Sequence, residues 1–170
     1  MGCSQTLAGL ARDCGANIGG IKAVYLANHD DVDTVTVTAG VVSAITMVSS
    51  KKFYAYFFNP QTSSFTTTIQ ANRVNGSLFF ETVLSLVFTK QDATKRVEIN
   101  SIAQAGLAVI VVDNNGEAWY LGYDESVLLT AGTAETGTAR ADRNGYAIEL
   151  TDGQAQMPYT VDPSIIAGLL

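Results

Sequence analysis

Basic residues are scarce in this chain: ten Lys and Arg stand against 16 Asp and Glu, for a formal charge of −6. A surface built to grip nucleic acid neutralises phosphates with clustered cations. Nothing here exceeds the pairs Lys51-Lys52 and Lys95-Arg96. Charged residues of both signs reach only 15 %, below the roughly 25 % of an ordinary soluble domain. Apolar residues make up 47 %. So low a charge density points to a surface partly covered by something, most simply by copies of the same chain. No apolar run approaches the about 18 residues of a spanning helix, which argues against a membrane partner. The opening MGCSQTLAGLARDC reads as neither the basic start nor the apolar core of a secretory leader.

Cysteine and histidine are nearly absent. Cys3 and Cys14 either pair or stay as thiols, depending on the compartment. Two ligands are fewer than a structural metal site uses. Gly2 and Thr6 fit a short myristoylation pattern, but no polybasic patch supplies the second anchoring signal. The single histidine, His29, opens the acidic stretch HDDVD, which lacks the glycine and distal glutamate of a calcium loop and reads as a solvated turn. No GxSxG elbow, phosphate loop or dinucleotide fingerprint is present. The neighbouring carboxylates Asp30/Asp31 and Asp124/Glu125 point apart on a turn or strand, a poor arrangement for a general acid and base. These absences lead away from an enzyme and call for no cofactor or metal.

What the chain has instead is strand patterning around one helix. The organising stretch is 84–121, LSLVFTKQDATKRVEINSIAQAGLAVIVVDNNGEAWYL. Residues 84–88 alternate apolar and polar, the period of a half-buried strand. Asp92 can cap a helix of about three turns. Ile99, Ile102 and Ala103 share its inner face while Lys95, Arg96 and Glu98 reach water. Gly106 stands where a left-handed residue often ends a helix. Residues 107–112 are continuously apolar and β-branched, which predicts a strand covered on both faces. Asp113-Asn114-Asn115-Gly116 is a strong hairpin signal, because Asn-Gly takes positive φ at little cost.

Around that stretch, 7–10 predicts a single helical turn, 21–27 a strand, and 35–38 with 41–47 a hairpin about Ala39-Gly40. Residues 78–88 predict one long strand or two with a bulge near Glu81 or Thr82. The Thr- and Gly-rich 131–141 predicts a loop, and 146–151 a clean strand. Residues 158–163 read as extended, with Ser164 capping a last turn. About nine strands against one helix, at about residues 92–105, make the chain mainly β. The architecture is an antiparallel β-sandwich or partly closed barrel.

Aromatics concentrate at 53–58, FYAYFF. Stacking on a single-stranded nucleic acid would need a cationic groove beside them, so core or subunit interface is the better use. Phe53, Tyr54, Tyr56, Phe57 and Phe58 are therefore candidate subunit contacts, with Leu169 and Leu170 of the apolar tail.

The order of elements, with one helix between a strand and the hairpin VVDNNGEAWYLG and then TGTARADRNGYAIELT, resembles the major tail tube proteins of tailed bacteriophages, including those of phages infecting gut bacteria. It is similar to the wider tube family of contractile tails and secretion needles. The likeness runs over about 21–161. It implies a structural virion protein of a phage tail or neck, made in the host's cytoplasm. Such subunits form stacked rings, hexamers in the family's pattern, whose channel passes double-stranded DNA without specific binding. Partners would be further copies and other tail or neck proteins. By position, 1–20 is an N-terminal arm, 21–156 the β-sandwich domain and 157–170 a C-terminal arm, with 48–52 or 131–141 as the loop between rings. A head-to-tail connector or tail terminator ring is the alternative, and an Ig-like capsid decoration or binding module stands behind it.

Overall fold

The computed structural model describes residues 7–12 and 14–170. The expectations on Gly2, Cys3, Thr6 and a Cys3–Cys14 bond lie outside the described residues; Cys14 itself is exposed. The chain is mainly β, a sandwich of two sheets that are not closed into a barrel.

The larger sheet holds β1 (Ile21–Asn28), β2 (Val32–Thr38), β3 (Val41–Met47), β4 (Tyr54–Tyr56), β7 (Leu107–Asp113), β8 (Ala118–Leu121) and β11 (Tyr159–Val161), in the order β2-β3-β11-β8-β7-β1-β4. The smaller holds β5 (Ser64–Asn72), β6 (Ser77–Thr89), β9 (Leu128–Glu135) and β10 (Gly145–Gln154), in the order β5-β6-β10-β9. All pairings are antiparallel except β11 with β3.

The continuous apolar run of β7 has a simple cause. Leu107, Val109 and Val111 enter the core between the sheets, beside Leu84, Leu86, Ile148 and Leu150. Ala108 and Ile110 face the other way, into a second core with Phe53, Tyr120, Val161, Ile166 and Leu169. The larger sheet is thus covered on both faces, and alternate residues of one strand serve two cores.

The second core takes in Val161, Ile166 and Leu169 of 157–170, the stretch expected as a C-terminal arm. Strand β11 sits between β3 and β8, and the tail after it, α2 (Pro163–Ile166) and a final 3₁₀ turn, buries Ile166 and Leu169. The Phe53 N–H donates to the Leu169 carbonyl at 2.8 Å and ties the tail down. Asp162, not Ser164, caps the last helix: its carboxylate accepts from the Ser164 N–H at 2.9 Å, with Pro163 at the first helical position.

Helix α1 (Ala93–Gln104) forms as the sequence predicts, with the Asp92 carboxylate accepting from the Lys95 N–H at 2.8 Å. Its burial is narrower than the pattern suggests: Ile102 is buried, Ile99 half-buried and Ala103 exposed. Lys95 turns back onto the Thr89 carbonyl. Gly106 does not take positive φ. It is required because a Cβ there would lie 2.6 Å from Ser126 Oγ and 2.8 Å from its Cβ. Gly116, by contrast, turns the β7–β8 hairpin at φ +93°.

Two further expectations change, and of the two alternatives for 78–88 the single long strand holds. Residues 7–10 form no helical turn, and Leu7 and Leu10 are exposed. Strand β6 runs unbroken for 13 residues, in continuous register with both neighbours. The first five residues of the expected 131–141 loop are strand, since β9 extends to Glu135; they pair as an edge with β10, with an irregularity opposite Glu149/Leu150.

Candidate functional site

The smaller sheet turns one face to the core and one outward, and its register sorts the residues. Phe65, Leu84, Leu150 and Leu129 form one inward rung, and Phe88, Tyr146 and Ala134 another. The outward rungs are Ser64, Ser85, Glu149, Ala131; then Thr66, Val83, Thr151, Leu128; then Thr68, Glu81, Gly153; then Val87, Ala147, Thr133. Most of these are small or hydroxyl side chains, with Val83, Val87 and Leu128 and two carboxylates among them. Strands β5, β6, β9 and β10 contain no Lys or Arg. Arg143, just outside β10, is paired with Glu135. The face is therefore neutral to acidic and offers phosphates nothing to hold.

Among the described residues both edges of this sheet are open. Strands β5 and β9 each have a neighbour on one side only. Eight- and nine-residue edges of this kind are templates for pairing with another chain. The sheet also overruns its own sandwich. Pairing of β6 with β10 stops at Phe80, while β5 and β6 continue through Gln70/Phe79, Ala71/Leu78 and Asn72/Ser77. Residues 68–79 are exposed without a break, and Ile69, Val74, Leu78 and Phe79 put apolar surface on this protruding hairpin.

The N-terminal stretch is tied to the β7–β8 hairpin near its end. Asn114 Nδ2 donates to the Gly19 carbonyl at 2.8 Å, and the Ile18 N–H donates to Asn115 Oδ1 at 2.8 Å. Ahead of that clamp the described residues 7–12 are exposed.

The seven candidate contact residues separate. Phe53 is 1 % exposed and Leu169 is buried, so both belong to the second core. Tyr56 and Phe58 pack against the first, and the Tyr56 hydroxyl donates to Glu98. Burial, then that carboxylate, push the Tyr56 hydroxyl's pKa up. Tyr54, Phe57 and Leu170 present surface. Residues 48–52, one of the two stretches expected as the inter-ring loop, are held by Asp31: Val48 N–H donates to the Asp31 carbonyl at 2.9 Å, and Lys51 lies 3.2 Å from the Asp31 carboxylate. The Asn28 amide, then Lys51, hold the Asp31 carboxyl below its usual range.

One buried acid was missed at the sequence level. Asp152 is 1 % exposed; it accepts from the Gly122 N–H at 3.3 Å and from the Gln154 amide. Gln154 in turn accepts from the Asp124 N–H at 3.0 Å and donates to the Glu125 carbonyl at 3.0 Å. The pair clamps the loop after β8. Alternation in YAIELTDGQ puts both on the inward parity, and that signal was available. Desolvation raises the Asp152 carboxyl, its hydrogen bonds offset this in part, and Asp124 and Glu125 add to the rise. The adjoining cavity is about 10 Å³, room for one water at most. That is a structural clamp without space for a substrate.

His29 lines a shallow depression with Asp33, Tyr120 and Tyr123. Among the described residues no three His, Cys, Asp or Glu gather as a metal site, and no helix is long and apolar enough to cross a membrane. Comparison with family models, with curated proteins and with solved structures yields no match.

Proposed function

We propose that this chain is a ring-forming structural subunit of a phage tail tube, whose four-stranded sheet joins those of its neighbours into one continuous wall. The observation that carries the reading is a sheet with two open edges and a cation-free outer face. Its strands alternate in direction, and their number is even. When β9 of one copy meets β5 of the next, related by rotation, the junction is antiparallel like every pair inside the sheet. The same heterologous contact then repeats until the ring closes and no edge is left. The seven-stranded sheet stands behind as an outer wall. The face bearing Glu81 and Glu149 lines the channel, where carboxylates repel phosphates and let double-stranded DNA slide.

The protruding 68–79 hairpin and the exposed residues 7–12 are the elements that join one ring to another. Purified protein examined by negative-stain electron microscopy should show hollow tubes. Single rings that never stack would favour the connector or terminator reading. A population that stays monomeric at high concentration would overturn the proposal.

A further inference from the structure

We infer that Phe57 of one copy seats in the groove between α1 and β9 of the next copy in the ring, an inference that rests on the ring reading above. Phe57 is 87 % exposed, while its neighbours Tyr56 and Phe58 pack inward. Its place in the fold follows from register. Strand β4 pairs antiparallel with β1, Leu26 opposite Tyr54 and Val24 opposite Tyr56, so the chain leaves β4 towards the Ile21 end of β1. It then runs into β5 past Ser63, whose Oγ accepts from the Val87 N–H at 3.2 Å. Phe57 therefore lies on the β5 flank, on the inner side of the smaller sheet, near the end where β6 finishes at Thr89.

The groove lies on the opposite flank at the same end. Ile99 and Ala103 of α1 stand across from Leu129, Gly132 and Ala134 of β9, with Tyr146 at its floor. Gly132, Ala134 and Tyr146 occupy inward rungs at the end of β10 that pairs with β6 up to Thr89. The space measures about 420 Å³, enough for a phenyl ring. The small residues of β9 keep it open. Joining β9 of one copy to β5 of the next therefore brings the exposed aromatic and the vacant apolar groove together, at one level and on one side of the wall.

Area supports the same occupant. An eight-residue strand edge is about 27 Å long, and with about 10 Å of depth covers roughly 270 Å². A stable contact uses about 800 Å² per partner. Strand pairing alone falls well short, so apolar contacts flanking the strands must supply the rest. Phe57 and the groove are the complementary pair beside those edges.

The test uses the full chain with Cys3→Ser and Cys14→Ser, and two single variants on it, Phe57→Cys and Ala103→Cys. A head-to-tail contact predicts cross-linking by a short bis-maleimide when the two variants are mixed and assembled, and none in either alone. Phe57→Ser should raise the concentration needed for assembly at least tenfold, roughly the scale of losing one buried phenyl group, without shifting the melting temperature. If the unaltered chain forms rings yet the mixture does not cross-link and Phe57→Ser assembles like the parent, the seating is wrong and the ring reading stands. If the unaltered chain never assembles in sedimentation or microscopy, both fall.

Discussion

Two phenylalanines four residues apart should behave in opposite ways when shortened to alanine. Phe53 is among the largest fully buried side chains, packed in the second core with Ile110, Tyr120, Ile166 and Leu169. Removing its ring loses the transfer free energy of the phenyl group and leaves a cavity that this well-tied region cannot close, a cost of about 3–5 kcal/mol. For a chain of this size each kcal/mol lowers the melting temperature by about 2–4 °C, so Phe53→Ala should melt on the order of 6–20 °C lower. The Phe53 N–H to Leu169 hydrogen bond survives in the variant, because it is made by backbone. The tail after β11 should nonetheless loosen, as its apolar partner is gone, and become cleavable under mild proteolysis. Phe57→Ala removes a ring that touches little, and stability should change by less than about 0.5 kcal/mol. Urea unfolding of dilute, unassembled protein with circular dichroism detection measures both. Equal destabilisation by the two variants would refute the assignment of one to the core and the other to the surface, and with it the use of Phe57 as an interface probe.

Other outcomes follow from the same structure. Removing 158–170 should leave insoluble or unfolded protein, because β11 fills the place between β3 and β8; a soluble, cooperatively melting truncation would contradict this. Replacing 70–79 with a two-residue turn should leave melting within a few degrees, since those rungs pair only with each other, but should convert tubes to rings in micrographs. Asp152 has a folded-state pKa above its ordinary value because it is desolvated. Its favourable contribution is therefore present below the unfolded-state value of about 4 and is lost as pH rises through the folded one. Unfolding titrations should show Asp152→Asn gaining stability relative to the parent as pH rises from acid to neutral, and a difference that does not vary with pH would count against it.

Much of the fold could be read from local pattern. The Asp92 cap, the Asn-Gly hairpin and the two-faced apolar run of β7 each express a rule acting within a few residues, and each appears where its residues stand. Other features escaped because the deciding partner is remote in sequence. The small residues of 131–135 look like loop until β10 supplies their hydrogen bonds. Gly106 looks like a helix terminator until Ser126 is seen against it. FYAYFF is aromatic at every position but Ala55, and nothing in it separates Phe53 from Phe57; the tail from Ile166 to Leu169 makes that distinction.

By itself, then, the sequence determined a cation-poor, mainly β chain with one capped helix, since composition and short-range periodicity are properties of the string. Only the tertiary structure decided which sheet ends openly, which aromatic is buried, and that Val161, Ile166 and Leu169 pack into the second core. Those are questions of which distant segments share a rung or a cavity, and burial and strand pairing are settled by neighbours in space.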